Sequence, residues 1–126
     1  PVHPKIYKII NLNRFKIPKN LICSTPISYI NTIAAIKSCD YVITDSGGVQ
    51  KEAYFLFKKV FVLRKETEWP ELLSLNSLKL IGDNIDKIKQ SKKFLNSKIK
   101  KSKFFGRGNA TRKISFLVKK ILMSQI

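Results

Sequence analysis

A chain of 126 residues, 44% of them hydrophobic, is long enough for one folded domain and too short for two. Its formal net charge of +17 would suit a nucleic acid or an anionic membrane surface as partner. The basic excess is mostly lysine, without the interleaved aromatic side chains on which single strands stack. We therefore interpret it as solvated surface charge and predict no nucleic-acid partner, with DNA binding as an alternative.

Several other classes of protein are excluded by the sequence. No apolar run approaches the roughly 20 residues that span a bilayer. Prolines and lysines interrupt residues 1–8, so these are no signal peptide, and we predict a cytoplasmic protein without membrane insertion. His3 is the only histidine, which excludes a histidine-based metal cluster and leaves Ser46 without a base for a Ser-His-Asp relay. We predict neither metal nor cofactor, and interpret Cys23 and Cys39 as small buried thiols.

Short apolar runs alternate with amphipathic stretches, the pattern of a parallel α/β sheet. Residues 21–23 are the first predicted strand. Ser28 is then predicted to cap a helix whose inner face carries Tyr29, Ile33 and Ile36. Residues 41–44 are predicted to form a buried strand, because they are short, apolar and β-branched.

A turn at residues 45–48 leads into the second predicted helix, with Val49, Ala53 and Leu56 on one face. Strands follow at 60–63 and 78–81, and Asn84 is predicted to cap a short helix after them. The glycines at 106 and 108 predict a turn with positive φ. The last predicted helix has the clearest apolar stripe, made of Ile114, Leu117, Val118, Ile121 and Leu122.

These elements predict one Rossmann-like α/β domain over residues 1–126. A doubly wound domain usually carries more strands than the four identified in the sequence. We therefore expect either that another chain completes the sheet or that the protein is truncated.

The turn between the second predicted strand and its helix is the candidate site. Ser46, Gly47 and Gly48 place free backbone N–H groups and a positive helix end at the carboxyl edge of a parallel sheet, where phosphates bind. Glycines without Cβ atoms allow an anion to approach the backbone. Glu52 lies one helical turn further on the same face, and its carboxylate suits the two hydroxyls of a ribose.

Four blocks of this sequence resemble the non-hydrolysing UDP-N-acetylglucosamine 2-epimerases. Residues 41–53, YVITDSGGVQKEA, are similar to that family's T-D-S-G-G-x-Q-x-E-A segment. Residues 62–71, VLRKETEWPE, are similar to its V-x-R-x-x-T-E-[RW]-P-E segment. The P-V-H-P opening and the Gly-x-Gly turn at 106–110 resemble the corresponding family segments in the expected order.

The resemblance implies the C-terminal half of a glycosyltransferase-B fold, with a UDP-sugar bound between two Rossmann-like domains. Such enzymes invert C2 by eliminating UDP and adding it back. Carried onto this chain, Ser46, Gly47 and Gly48 would hold the diphosphate and Glu52 the ribose. Glu68 would lie on a loop closing over the diphosphate. Asp45 and Gln50 would either brace the turn or touch the ligand.

The family's catalytic carboxylates and the histidine of its H-R-x-E-N segment lie upstream of the matched portion. We therefore assign no catalytic residue and expect a UDP-sugar-binding part, inactive alone, whose partner is a separate N-terminal domain chain or a second copy in a homodimer. Trp69 replaces an arginine of many members, as in a subset acting on UDP-diacetamido-uronic acids. Ile27 and Thr32 replace the glutamine and phenylalanine that often surround the uracil.

Two further interpretations stay open at this point. One is half of a nucleotide-sugar-dependent glycosyltransferase, because that fold uses the same helix N-terminus for diphosphate. The other is a degenerate remnant that binds a ligand without turnover. The Thr67-Glu68-Trp69-Pro70-Glu71 block favours the epimerase over the transferase.

Overall fold

The structure is a computed structural model that describes residues 1–124. Within that part of the chain, three strands and seven helices follow one another. In chain order they are α1 (Pro4–Leu12), α2 (Tyr29–Ser38), β1 (Tyr41–Thr44), α3 (Gly47–Phe55), β2 (Lys59–Val62), α4 (Pro70–Ser74), β3 (Leu78–Leu80), α5 (Asp86–Lys89), α6 (Lys92–Asn96) and α7 (Ala110–Met123).

The three strands form one parallel sheet in the order β1-β2-β3. Val42 lies opposite Val60, and Val60 lies opposite Leu78. Neighbouring parallel strands need a crossover, and α3 and α4 supply the two crossovers here. The predicted α/β class is therefore confirmed.

The core is built around β2, whose four residues are all buried. On one face of the sheet, Val60 and Val62 pack with Ala53 of α3 and Leu72 of α4. On the other face, the Phe61 ring contacts Phe94 of α6, with the ring centroids 5.5 Å apart. Helices thus cover both faces of the central strand, which confirms the Rossmann-like three-layer arrangement.

The first predicted strand is wrong. Residues 21–23 belong to no strand, and Ile22 is 90% exposed. The neighbouring Ser24 carbonyl instead accepts a hydrogen bond of 2.8 Å from the Val2 amide. As a result β1 is an edge strand, so Tyr41 and Ile43 are exposed and the prediction of a buried strand is also wrong.

Three smaller predictions also differ from the structure. Helix α1 was not predicted; in it Pro4 takes a first-turn position that tolerates proline, and the His3 side chain caps the helix. Asn84 does not cap α5, which begins after Ile85 without a side-chain cap. The two cysteines are half-buried and unpaired rather than buried.

Other local predictions are confirmed. The Ser28 hydroxyl accepts from the Asn31 amide at the start of α2, and Gly106 and Gly108 have φ angles of +82° and +73°. The helix predicted at the C-terminal end is α7, but its apolar stripe is exposed, with Ile114 at 60%. Among the helices described, none has the length and apolarity to cross a membrane.

A buried lysine fixes the segment after β3 against the start of β2. The Lys59 Nζ donates to the Asn76 carbonyl at 2.5 Å and to the Ser97 hydroxyl at 3.1 Å, and lies 4.4 Å from the centre of the Phe94 ring. Burial lowers the pKa of Lys59 below its ordinary value, because the charged form loses hydration. These contacts hold α6 on the sheet at the end opposite the candidate site.

Candidate functional site

The turn between β1 and α3 leaves the first turn of the helix open. Ser46 is the N-cap residue, in extended backbone conformation, yet no side chain of the described residues caps this helix. The Ser46 amide donates to the Thr44 hydroxyl at 3.0 Å, which fixes the turn from the strand side. The Ser46 hydroxyl and the first amides of α3 are therefore available to a ligand at the positive end of the helix.

Gly47 and Gly48 provide space rather than unusual backbone angles, since neither has positive φ. A Cβ built on Gly48 would meet only the Ser46 hydroxyl, at 3.8 Å. A Cβ on Gly47 would lie 2.9 Å from a carboxylate oxygen of Glu68. The missing side chain at Gly47 thus allows a carboxylate to rest against the helix start.

The loop at residues 64–69, which follows β2, is bound to α3 by two hydrogen bonds. The Thr67 hydroxyl donates to the Gln50 Oε1 at 2.6 Å, and the Trp69 Nε1 donates to the Gly47 carbonyl at 2.8 Å. The Trp69 amide also donates to the Thr67 hydroxyl at 3.0 Å. Gln50 is fully buried, so of its two predicted roles the structure assigns it that of bracing the turn.

The Trp69 side chain is held from several sides. The Lys51 ammonium lies 4.1 Å from the centre of the indole, a cation–π contact. The Phe105 ring packs against the indole edge-on, with centroids 5.8 Å apart, and also contacts Tyr54. The indole is therefore fixed between α3 and the segment before α7.

Glu68 lies between the two anchored residues of the loop and forms an ion pair with Arg64. A hydrogen bond from its own backbone amide, followed by one from Arg64, holds the pKa of Glu68 below its usual value. The carboxylate is therefore ionised at neutral pH. The pair is exposed, so it contributes little to stability.

Glu52 is half-buried on α3, one turn beyond Gly48, as predicted. Among residues 1–124, no side chain forms a hydrogen bond or an ion pair with its carboxylate. Both oxygens can therefore accept from a ligand.

A cavity of about 460 Å³ lies at the carboxyl end of β1, beside the same turn. Its walls are mainly apolar, and Asp45 lies at its edge. The residues that define it include Ile27, Thr32, Ile36, Val42 and Val49. The structure thus brings Ser46, Gly47, Gly48 and Glu68 together, with Glu52 one turn away and an apolar cavity nearby.

A parallel sheet with an uncapped helix N-terminus at its carboxyl edge defines a Rossmann-like α/β domain of the kind that binds anionic ligands. Residues 1–119 match the family model described as UDP-N-acetylglucosamine 2-epimerase. The chain belongs to this family, and its fold is that of the C-terminal half of a glycosyltransferase-B enzyme.

The similar proteins are several times longer than this chain. A UDP-N-acetylglucosamine 2-epimerase homolog of Methanococcus maripaludis is 35% identical over 119 residues, which are 90% of this chain and 33% of that protein. The UDP-2,3-diacetamido-2,3-dideoxy-D-glucuronate 2-epimerase of Pseudomonas aeruginosa is 36% identical over 91 residues, 72% of this chain and 25% of that one. The chain thus spans about a third or less of these relatives.

A similar solved structure is also much longer than this chain. The UDP-GlcNAc 2-epimerase of Methanocaldococcus jannaschii, in complex with UDP-GlcNAc and UDP, superposes with a TM-score of 0.80 at 30% identity. The match covers 94% of this chain and 34% of that one.

The contacts of Arg64 and Thr67 and the hydrogen bond of Trp69 to Gly47 were not predicted from the sequence. The resemblance pointed to the segment that contains them, but nothing in its spacing indicates which side chain faces α3. The only hint in the sequence is that a hydroxyl, a carboxylate and an indole follow one another at positions 67–69.

We expect Thr67→Val to destabilise the fold by about 1–3 kcal/mol, because it leaves the buried Gln50 Oε1 without its donor. Thr67→Ser is the matched control, since it retains the hydroxyl. Urea unfolding of both variants measures the difference. Equal stabilities for the two variants would show that the hydrogen bond to Gln50 does not fix the loop.

Proposed function

We propose that this chain binds the UDP portion of a UDP-sugar, as the C-terminal part of a UDP-N-acetylglucosamine 2-epimerase. The observation that carries the proposal is the uncapped first turn of α3, one turn from the Glu52 carboxylate, which has no side-chain partner among residues 1–124. The M. jannaschii neighbour, solved with UDP-GlcNAc and UDP, supports the choice of ligand.

In this proposal the diphosphate lies at Ser46, Gly47 and Gly48. The first-turn amides and the Ser46 hydroxyl donate to phosphoryl oxygens, and the helix dipole favours their charge. When the bond from the sugar to UDP breaks, negative charge grows on the diphosphate as the leaving group. Donors already aimed at that position stabilise the transition state more than the substrate.

The position of the diphosphate determines where the nucleoside lies. The Glu52 carboxylate accepts from the two ribose hydroxyls, one helical turn from the diphosphate. The uracil enters the apolar cavity, whose walls include Ile27 and Thr32. Glu68 belongs to the same site, because its carboxylate rests against Gly47.

The proposed reaction is inversion at C2, giving UDP-N-acetylmannosamine by elimination and re-addition of UDP. The family's proton-transferring residues lie upstream of the segment matched here, so the chain contributes the UDP site and another segment contributes the acid and base. That segment belongs to an N-terminal domain. A cytoplasmic role in supplying sugars for cell-surface polysaccharides is part of this proposal.

A UDP-diacetamido-uronic acid is the second candidate substrate. Trp69 favours it, because the family resemblance associates a tryptophan at this position with the subset that acts on UDP-diacetamido-uronic acids and an arginine with many other members. The 36% identity to the P. aeruginosa diacetamido-glucuronate epimerase supports the same candidate.

The 126-residue chain incubated with UDP-N-acetylglucosamine should give no epimerase turnover, because it lacks the upstream acid and base. Proton NMR follows the appearance of the manno product, with the full-length M. jannaschii enzyme as positive control. Sustained conversion by the short chain would contradict the assignment of catalysis to another segment.

Gly48→Ala should weaken UDP binding by about tenfold or more while leaving the fold intact. Helical Cβ atoms point towards the N-terminus, so the new methyl group projects towards the proposed diphosphate. Within the protein it meets only the Ser46 hydroxyl, at 3.8 Å. Calorimetric titration with UDP measures the loss, and uridine, which has no phosphate, is the control ligand. Unchanged UDP affinity would place the diphosphate elsewhere.

Glu52→Gln should weaken UDP by about tenfold, because one charge-assisted hydrogen bond contributes roughly 1.5–3 kcal/mol. The control ligand is 2′,3′-dideoxy-UDP, which has neither ribose hydroxyl and should bind the wild type and the variant almost equally. Calorimetric titration gives both ratios. If the variant loses the same factor for both ligands, Glu52 has a structural role and the ribose lies elsewhere.

A further inference from the structure

The Glu68 carboxylate lies in the place where the proposed function puts the diphosphate. One of its oxygens would be 2.9 Å, and its carboxyl carbon 3.1 Å, from a Cβ at Gly47. Gly47 is the first residue of α3, at the positive end of the helix. A carboxylate here meets the same favourable field that a phosphoryl group would meet.

Two anions cannot share this place without additional positive charge. Glu68 is ionised, since its own amide and Arg64 lower its pKa. The neighbouring Trp69 is uncharged, and its Nε1 is already bonded to the Gly47 carbonyl. The Lys51 ammonium is also engaged, because it lies over the indole. Arg64 is thus the cation that already pairs with an anion at this position.

The geometry of the loop allows Glu68 to move without its neighbours. Thr67 and Trp69, on either side, are fixed to α3 by hydrogen bonds. The side chains of Glu68 and Arg64 are 48% and 39% exposed, so both can change rotamer at little cost. A ligand can therefore displace the carboxylate while the loop backbone stays in place.

We infer that Glu68 acts as an internal anion at the start of α3, which UDP displaces, and that Arg64 then pairs with the diphosphate. This inference rests on the proposed function. It assigns Arg64 as a diphosphate-binding residue, and it assigns Glu68 as a competing anion that lowers the affinity for ligands whose phosphoryl groups must take its place.

The test is calorimetric titration of the 126-residue chain and its variants with UDP and with uridine. Glu68→Gln removes the competing charge, so it should bind UDP about tenfold more tightly than the wild type. Arg64→Gln should bind UDP about tenfold more weakly. Neither variant should change uridine binding by a comparable factor, since uridine has no diphosphate to compete with Glu68 or to pair with Arg64.

Glu66→Gln is the matched control, because Glu66 is exposed in the same loop and forms no ion pair among the described residues. Weaker or unchanged UDP binding by Glu68→Gln would overturn the inference, and so would an equal gain in Glu66→Gln, which would reflect overall charge alone. If the wild type binds UDP and Glu68→Gln binds it no more tightly, the inference fails but the proposed function stands. Absence of UDP binding in both the wild type and Glu68→Gln would overturn both.

Discussion

The hydrogen bonds from Thr67 to Gln50 and from Trp69 to Gly47 set the geometry of the candidate site. They join the loop after the central strand to the first turn of the helix after the edge strand. Gln50 is fully buried, so its interaction with Thr67 cannot be replaced by water without rearrangement. The backbone of the intervening residue is held from both sides, which is why the Glu68 carboxylate lies against Gly47 and why only its side chain is free to turn.

Residues 45–71, which carry the candidate site, contain five basic and five acidic residues and so have no net formal charge, unlike the molecule as a whole. The chain has 25 basic and 8 acidic residues, yet five of the acidic ones fall between positions 45 and 71: Asp45, Glu52, Glu66, Glu68 and Glu71. A general positive field attracts any phosphorylated molecule, but it does not choose among them. In the proposed function Glu52 and Glu68 supply the choice, since the ligand offers hydroxyls to the first carboxylate and displaces the second. Lys59 shows that a lysine can also be structural, because it is buried and bonded to Asn76 and Ser97 far from this region.

Features determined by neighbouring residues could be predicted from the sequence. The Ser28 cap, the helix after Gly48, the strand around Phe61 and the Gly106–Gly108 turn each depend on a few adjacent side chains. Features that depend on distant residues could not. Whether Tyr41 is buried depends on a strand that residues 21–23 do not form, and the bond from Trp69 to Gly47 joins residues 22 positions apart. The motif indicated that Gly47 needed space, but only the fold indicates that a carboxylate of the same chain fills it.

Trp69 is the only tryptophan in the sequence, and it contacts Gly47, the first residue of α3. Indole fluorescence responds to hydrogen bonding at the ring nitrogen and to nearby charge, and here a carbonyl lies at the nitrogen and an ammonium group over the ring. Replacing one anion by another beside Gly47 alters the electric field across that ring. The emission spectrum of the unmodified protein therefore reports on this one location, without a dye or an engineered label.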